Sequence, residues 1–330
     1  MGLIQSLLDL VIPQTSPVRL PHPHAPCTHF GVSLEQNEAH RESQEDFHHA
    51  SINYGEMLGD GCHASFFGVY DGHGGKDVAE FVSKNMHKTV AGQIKASEDP
   101  ESVNILEAFT NAYSEVDNLA TDLKLGHECG TTSATCILRE EDVLGRDSND
   151  TGVIMSDVDI GGIADMELPS KKTTATATTS PTTRRVIYSA NVGDTRAVLI
   201  RRGEPLRLTH DHRCSDPAEV KRIKDAGGYI FNRRVGGTLA VTRALGHIYD
   251  KELILGTPYV SRTVVEDEID QALIIASDGI WDIIKEEKVC DMVKEGIVAG
   301  KTAAEISDEI CTYSMHRYCR DNICVMVVFL

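Results

Sequence analysis

The sequence predicts an α+β fold in which two β-sheets pack against each other and helices cover them from outside. Short apolar runs with β-branched and aromatic residues recur along the chain, with turn residues between them, which is typical of strands. Helical patterns occur in pairs rather than alternating singly with the strands. The 330 residues, of which 41% are hydrophobic, are enough to build a large core.

The strands are predicted where apolar, β-branched segments are bounded by turn residues. In chain order they are 65–70, 132–138, 185–193, 196–200, 272–276 and 323–330.

The helices are predicted from apolar residues that recur every three or four positions. Two long helices follow the glycines of "DGHGG", and the second carries the stripe Ile105, Phe109, Ala112, Val116, Leu119 and Leu123. A second pair is predicted over 286–298 and 302–318. A shorter helix begins with an N-cap at Asp216, continues with Pro217 in its first turn, and ends at the glycines 227–228.

The N-terminal residues 1–27 are predicted to be a tail and a linker rich in proline and histidine. The apolar residues of 3–12 follow helical spacing until Pro13, which suits a mobile tail or a docking helix. Gly2 and Ser6 also match the short pattern for N-myristoylation. No apolar stretch reaches the roughly 18 residues of a membrane span, so membrane contact is expected only if Gly2 carries a lipid.

Residues 140–185 are predicted to form a surface insertion between two strands. The segment is acidic at its start and rich in threonine towards its end, and such a composition buries little apolar surface. Long surface loops are tolerated because the entropy of closing a loop rises slowly with its length.

The charge and the cysteines limit the function classes. The formal net charge is −18, with 50 acidic against 32 basic residues, which argues against nucleic-acid binding. The same charge suits a protein that concentrates divalent cations, or one that is simply kept soluble. The nine cysteines contain no C-x-x-C pair, so reduced thiols in the cytoplasm or the nucleus are expected.

The stretch "VYDGHGG" at 69–75 raises the question of function, because it places Asp71, Gly72 and His73 at the end of an apolar run. Asp-Gly alone is a common turn signal. Other candidate strands have acids near their ends: "RESQED" offers Arg41, Glu45 and Asp46, "ASDGIWD" offers Asp278 and Asp282, and "CRDN" offers Asp321.

Each of these clusters alone is readily a turn or a set of solvated acids. Together they could meet at one rim of the sheets, where Mg²⁺ or Mn²⁺ would find the carboxylate and carbonyl oxygens that such ions prefer. Gly72 then has a specific use, because a residue without a side chain lets its carbonyl approach a metal closely.

The sequence resembles the type 2C metal-dependent serine/threonine protein phosphatases, and most of all their small fungal members. The motifs that carry the resemblance are, in order, "RESQED", "VYDGHGG", "GTTSATCIL", "YSANVGDTRAVL", "LTHDHRCSDPAEVKRIKDAGGYI", "RVGGTLAVTRALGH", "IIASDGIWD" and "DNICVMVVF". They cover roughly 28–330 apart from the insertion, and eight ordered motifs are far more specific than a single Asp-Gly.

The resemblance implies a central antiparallel β-sandwich flanked by paired helices on both faces, with one phosphatase domain at 28–330, the insertion at 140–185 and a flap at 211–250. It implies two Mn²⁺ or Mg²⁺ ions and a weaker third. By position the ligands of the two ions would be Asp71, which bridges them, the carbonyl of Gly72, Asp278 and Asp321. Metal-bound waters would be held by Glu45, Asp46 and Asp282, and the third ion by Asp194. Arg41 would bind the substrate phosphate, for which its planar fork is suited, and Arg213 would contact the substrate from the flap.

His73 has a role that the turn does not explain. The oxygen of a departing serine or threonine leaves poorly unless it is protonated, and a histidine next to the metal contact at Gly72 could supply the proton. The expected reaction is hydrolysis of phosphothreonine or phosphoserine on proteins by a hydroxide that bridges the two metals.

Three positions depart from the family pattern. "GDTR" has threonine in place of the usual serine, and Cys324 stands where threonine or serine is common. His247 replaces the aspartate that usually ends "RALGD", which puts the flap geometry or the metal affinity near it in question.

The remaining expectations concern partners and alternatives. The substrates are expected to be phosphoproteins, among them a stress-activated MAP kinase, with an adaptor protein supplying part of the specificity and the enzyme itself monomeric. The alternatives are a pseudophosphatase that uses the same fold as a scaffold or binding module, and a two-metal nuclease. The intact acids argue against the first and the negative charge argues against the second.

Overall fold

The computed structural model describes residues 29–59, 61–96, 104–126, 129–142, 154–156 and 183–330. The predicted tail and linker at 1–27, with Gly2, lie outside the described residues, as does most of the predicted insertion. Within the described residues, no helix has the length and apolar character that crossing a membrane requires. The eight cysteines that the structure describes carry free thiols.

The strands form the centre of the molecule. They are β1 (Phe30–Glu35), β2 (Asp46–Ser51), β3 (Ala64–His73), β4 (Gly130–Thr131), β5 (Ser133–Asp142), β6 (Ile154–Ser156), β7 (Thr183–Val192), β8 (Arg196–Arg201), β9 (Glu204–Arg207), β10 (Ile230–Phe231), β11 (Arg234–Val235), β12 (Leu245–Gly246), β13 (Tyr259–Val264), β14 (Asp270–Ala276) and β15 (Ile323–Phe329). The helices are α1 (Tyr54–Leu58), α2 (Asp77–Lys95), α3 (Ile105–Asp122), α4 (Pro217–Asp225), α5 (Asp278–Trp281), α6 (Glu286–Val298) and α7 (Ala303–His316), with a 3₁₀ turn at Ile248–Asp250.

The strands form two large antiparallel sheets. The first has the order β12-β4-β3-β5-β7-β13-β6, with β2 also paired to β3, and the second has the order β1-β15-β14-β8-β9. The first strand of the second sheet thus pairs with the last strand of the chain, which brings the two ends of the domain together.

The two sheets pack face to face because their strands alternate buried residues with the period of two that a strand imposes. Phe67 and Val69 of β3 point into the layer between the sheets, where they meet residues such as Met326 of β15. The intervening residues Phe66 and Tyr70 point outward, into a second apolar layer.

Helices cover both outer faces in pairs. α2 and α3 pack on the first sheet through residues such as Met86 and Phe109. α6 and α7 cover the second sheet through residues such as Val293 and Ile310. The prediction of an α+β fold with a central antiparallel sandwich and paired helices outside is therefore confirmed.

The element predictions need corrections at both ends of the insertion. β5 continues to Asp142 and β7 begins at Thr183, and their pairing runs through that last pair of residues. The short β6 also lies inside the range predicted to be an insertion, and it pairs with β13. Strands β1, β2, β9 and β13 were not predicted. Polar residues or histidines interrupt the apolar pattern of β2, β9 and β13, whereas β1 does alternate apolar and polar residues.

The flap at 211–250 is built around α4 and the hairpin of β10 and β11. Asp216 caps α4 as predicted, accepting a hydrogen bond from the backbone N–H of Ala218 at 2.8 Å. The two residues of the hairpin turn, Asn232 and Arg233, both have positive φ, as a tight twisted hairpin requires. The side chain of Glu219 is buried and accepts from Arg243 at 2.7 Å, which ties α4 to the segment that follows the hairpin.

Candidate metal centre and catalytic cleft

The centre of the site lies on β3, which continues through the predicted turn. Asp71 stands opposite Asp46 of β2, and its carbonyl accepts from the N–H of Thr132 at 2.9 Å. Gly72 and His73 pair with β4, so that the turn predicted at Asp71-Gly72 is wrong. The chain turns instead at the next two glycines, whose φ values are 71° and 139°.

Gly72 is needed for a close approach of two backbones. Its N–H donates to the carbonyl of Glu45 at 3.0 Å. A Cβ at this position would lie 2.6 Å from the same carbonyl oxygen and 3.1 Å from the Cβ of Ala79. Any side chain at Gly72 would therefore push β3 away from the segment that carries Glu45 and Asp46.

Three carboxylates from separate elements meet beside this strand. Asp71 lies in β3, Asp194 follows β7, and Asp278 begins α5, and each offers an oxygen within 4.8 Å of the oxygens of the other two. Asp278 is placed by the sequence "ASDGIWD", in which β14 ends and the indole N–H of Trp281 closes the turn on the carbonyl of Ala276 at 2.8 Å. Of the acids predicted from strand ends, Asp71 and Asp278 meet here, together with Asp194, which the family resemblance assigned to a third ion.

Removal from water and mutual repulsion raise the pKa of these acids. The pKa values of Asp71 and Asp278 lie well above the ordinary value, first because both groups are shielded from water and then because of the neighbouring carboxylates. Asp46 is fully buried next to Asp71, and burial raises its pKa to about 7, although Ser277 donates to it at 2.7 Å. Burial also raises the pKa of Asp194, against the opposing charge of Arg213.

This donor set fits a divalent cation. Carboxylate oxygens from rigid, separate elements are the ligands that Mg²⁺ and Mn²⁺ prefer, and a cation among them would relieve the repulsion that raises their pKa values. The residues Asp71, Asp194 and Asp278 therefore have both the geometry and the charge to hold a metal.

Arg213 lies among these acids in the structure. Its Nε donates to Asp194 at 2.6 Å and its Nη1 lies 2.7 Å from Asp282, with Nη2 3.8 Å from Asp278. Arg213 thus links the exposed Asp282 to the cluster. The predicted contact of Arg213 with substrate stays a prediction.

Asp321 also lines the cleft and is paired with Arg41. It precedes β15, and its charge raises the pKa values of Asp71 and Asp278. Arg41 also donates through Nε to the carbonyl of Arg320 at 3.3 Å. Two residues predicted for different tasks, metal binding and phosphate binding, therefore contact each other directly.

A cleft with a volume of about 670 Å³ opens above the acids. One wall carries Arg41, Asp71 and Asp321, and the other consists of flap residues from 234–241 and from the segment around Tyr249. The cleft is large enough for a side chain that carries a phosphate. Asp46 lies opposite Asp71 in the sheet, and Ser43 donates to the carboxylate of the neighbouring Glu45 at 2.9 Å.

His73 and His247 face each other in the same cleft. Their Nε2 atoms are 2.6 Å apart, and the ring planes differ by 20°. Burial lowers the pKa of His73 to about 3 and that of His247 to about 4. The histidine that departs from the family pattern is thus in direct contact with the predicted proton donor.

Sequence reasoning missed the residues that hold the site together. Asn322 accepts from the N–H of Glu45 at 2.9 Å and donates to the carbonyls of Gln36 and Ser43 at 2.8 and 3.0 Å, so that it fixes the "RESQED" segment. Ser277 donates to Asp46 and accepts from the N–H of Cys324 at 3.0 Å. Both stand beside predicted metal ligands in the sequence, which is the one signal that could have marked them.

Comparison with known proteins identifies the family. The family model "Protein phosphatase 2C" matches residues 30–145 and 146–323. The chain belongs to the protein phosphatase 2C family. It is a protein serine/threonine phosphatase of the metal-dependent type, and its resemblance to fungal members is confirmed.

Among the relatives of this phosphatase is Protein phosphatase 2C homolog 1 of Saccharomyces cerevisiae, which is 33% identical over 302 residues that cover 91% of this chain and 92% of the relative. Protein phosphatase 2C homolog 1 of Schizosaccharomyces pombe is 29% identical over 91% of this chain and 72% of the relative.

Solved structures share the fold. A serine-threonine phosphatase 2C from Toxoplasma gondii matches with a TM-score of 0.65 and 20% identity, over 96% of this chain and 99% of the other. A sex determining protein of C. elegans matches with a TM-score of 0.70 and 23% identity, over 93% of this chain and 65% of the other.

Proposed function

We propose that this phosphatase hydrolyses phosphothreonine and phosphoserine with two Mn²⁺ or Mg²⁺ ions, held by Asp71, the Gly72 carbonyl, Asp278 and Asp321, and a weaker third ion at Asp194. The observation that carries the proposal is the meeting of Asp71, Asp194 and Asp278 within 4.8 Å at the floor of a cleft. Asp321 supports it, because its charge reaches both Asp71 and Asp278.

The bound ions would lower the pKa of the water that attacks phosphorus and offset charge on the phosphoryl oxygens. The protein supplies the position of the other groups. Asp46, Glu45 and Asp282 lie around the ligands, where they would hold water molecules. Arg41 projects into the cleft, where its guanidinium would bind two phosphoryl oxygens once a substrate competes with Asp321 for it.

His73 is proposed to protonate the departing serine or threonine oxygen. Burial lowers its pKa to about 3, so the charged form needs a phosphate dianion beside it, whose opposite charge raises the pKa again. Replacing His73 with glutamine should then slow the hydrolysis of a phosphothreonine peptide by about 10²–10⁴-fold at saturating Mn²⁺. p-Nitrophenyl phosphate should be affected much less, because nitrophenolate leaves without a proton. Equal losses on the two substrates would contradict the acid role.

The assay that tests the function uses purified protein on a phosphothreonine peptide and on DNA. We expect release of phosphate from the peptide with Mn²⁺, loss of activity in EDTA, and recovery when excess Mn²⁺ is added back. Peptide binding without turnover would favour a pseudophosphatase that acts as a scaffold. Cleavage of DNA would favour a two-metal nuclease, which the net charge of −18 opposes.

The finer proposals rest on the likeness to small fungal members. They are a stress-activated MAP kinase as a substrate, an adaptor protein that supplies part of the specificity, a monomeric enzyme, and a place in the cytoplasm or the nucleus. Phosphoproteomics after acute depletion of the protein tests the first of these. A MAP kinase whose phosphothreonine does not accumulate would exclude it.

A further inference from the structure

The contact between His73 and His247 offers more than a packing role. The two Nε2 atoms are 2.6 Å apart, which is a hydrogen-bond distance between two rings of the same kind. Only one of the two nitrogens can carry the hydrogen that lies between them, so the other must accept. A histidine that uses Nε2 in this bond has only Nδ1 left for another partner.

His247 itself is held firmly by its surroundings. The N–H of Gly246 donates to the carboxylate of Asp117 on α3 at 2.8 Å, and the N–H of His247 donates to the carbonyl of Cys129 at 3.2 Å. The ring lies against Gly130, where a Cβ would be 2.4 Å from Cδ2 of His247. His247 has a φ of 55°, a conformation that this loop imposes and that histidine tolerates better than most residues.

We propose that His247 is a positioning residue for His73: it accepts a hydrogen bond from Nε2–H of His73 and so leaves Nδ1 of His73 for the substrate. The inference deepens the proposed function, because it rests on His73 as the proton donor. When His73 passes a proton to the departing oxygen, the Nδ1–H bond breaks as an O–H bond forms, and the Nε2 hydrogen stays in the bond to His247.

The test replaces the acceptor while keeping the ring. His247→Phe keeps an aromatic ring but removes the nitrogen, whereas His247→Gln keeps an acceptor near the position of Nε2. We expect His247→Phe to lower kcat on a phosphothreonine peptide by about 10–100-fold with little change in KM, and to change kcat on p-nitrophenyl phosphate by less than about threefold. His247→Gln should recover most of the peptide activity.

The matched control is His87→Phe. His87 is a buried histidine of α2 that stacks on His49 at 3.7 Å, and its Nδ1 has no hydrogen-bond partner among the residues that the structure describes. The same substitution there removes a stacked imidazole far from the cleft without removing a hydrogen bond. It should leave the ratio of peptide to p-nitrophenyl phosphate activity unchanged.

A double variant separates positioning from an independent effect. If His247 acts through His73, the variant with both His73→Gln and His247→Phe should be no slower on the peptide than His73→Gln alone, within about twofold. The inference would be overturned if the loss of peptide activity in the double variant were the product of the two single losses. It would also be overturned if His247→Phe lowered kcat equally on the peptide and on p-nitrophenyl phosphate.

A measurement without metal or substrate makes the inference independent of turnover. In ¹⁵N spectra of the imidazole groups, we expect His73 of the unmodified protein and of His87→Phe to show one protonated and one unprotonated nitrogen, and His73 of His247→Phe to show averaged signals. Unchanged His73 signals in His247→Phe would overturn the inference. Failure of the proposed function looks different, because the unmodified enzyme itself would then release no phosphate with Mn²⁺.

Discussion

Replacing Asp46 with asparagine should stabilise the metal-free protein at pH 8. Asp46 is fully buried beside Asp71, and burial raises its pKa from 3.8 to about 7. An acid whose pKa is higher in the folded state binds its proton more tightly there, so its charge lowers the free energy of unfolding as the pH rises from about 4 to about 7. Since one pKa unit corresponds to about 1.4 kcal/mol, the charged Asp46 costs about 4 kcal/mol at pH 8.

Asparagine removes this cost and keeps the local contacts. Its carbonyl can accept from Ser277 Oγ, which lies 2.7 Å from the carboxylate in the unmodified protein, and its amide can donate to Asp71. For a domain of this size the gain corresponds to a rise in Tm of about 5–10 °C. The rise should change little between pH 8 and 7 and then shrink steadily as the pH falls towards 5, because the folded protein keeps Asp46 protonated there.

The measurement is thermal unfolding by circular dichroism in EDTA between pH 5 and 8. The buried His49 and His87, whose pKa values burial lowers to about 4, make acid destabilise the folded state, but they do so in both proteins and leave the difference in Tm unchanged. The control is Asp225→Asn, which removes the same charge from an exposed pair with Lys221 on α4 and should change stability by less than about 1 kcal/mol.

With Mn²⁺ the unmodified protein should have the higher Tm, since the bound ion stabilises it more than it stabilises Asp46→Asn. A metal-free Asp46→Asn that unfolds below the unmodified protein at pH 8 would refute the reasoning, and so would a difference in Tm that does not depend on pH.

Other changes test the metal centre and the insertion. Asp71→Asn and Asp278→Asn should each lower Mn²⁺-dependent hydrolysis by at least about 100-fold without lowering the Tm in EDTA, and near-normal turnover in either would contradict the assignment of both as ligands. Gly72→Ala places a Cβ 2.6 Å from the carbonyl oxygen of Glu45, so it should weaken Mn²⁺ binding and cost about 1–3 kcal/mol of stability; an unchanged Mn²⁺ titration would show that metal binding does not depend on this close approach of the two backbones. Replacing 157–182 with a short glycine-serine linker should leave peptide activity within about twofold, because the cleft is lined from other parts of the chain; a loss of activity in a folded variant would mean that this segment contributes to catalysis.

The layered fold could be predicted from the sequence because its signals are local. The apolar runs of β3, β5, β14 and β15 alternate between two buried faces, and the helix predicted at 286–298 is observed with those bounds. The edge strand β1 was not predicted, although Phe30, Val32 and Leu34 alternate with small or polar residues. Its pairing with β15 at the other end of the chain cannot be read from that local alternation.

The pair Asp71-Gly72 shows how a local signal can mislead, because the chain does not turn there. Asp-Gly favours a turn when nothing else acts on it, but here Gly72 pairs with Thr131 and donates to Glu45. Tertiary hydrogen bonds therefore keep β3 extended for two more residues. The glycine serves a close approach of backbones, a role that only the neighbouring segment reveals.

The candidate site was predictable as a set of acids but not in its pairings. Asp194 belongs with Asp71 and Asp278 because β5 pairs with both β3 and β7, so that the residue after β7 reaches the same rim of the sheet as Asp71. Asp321 pairs with Arg41 because Asn322 fixes the segment that carries that arginine. Both facts depend on contacts between distant parts of the chain, and the sequence motifs say only that each residue is present.

Repulsion among the buried carboxylates explains why one substitution should change Mn²⁺ binding and stability in opposite directions. Asp46, Asp71, Asp194 and Asp278 stand close together, and within the described residues Arg213 and Arg41 are the cations that contact the site. The apolar layers on both sides of the first sheet hold these acids in place despite their charge, since the strands and turns that carry them are anchored in buried contacts. Removing one carboxylate therefore lowers the repulsion in the metal-free protein and, for the same reason, removes part of the field that attracts a divalent cation. A variant that is both more stable in EDTA and weaker in Mn²⁺ binding would show that the site is maintained for its ions at the expense of stability, which is the relation that the arrangement of charges predicts.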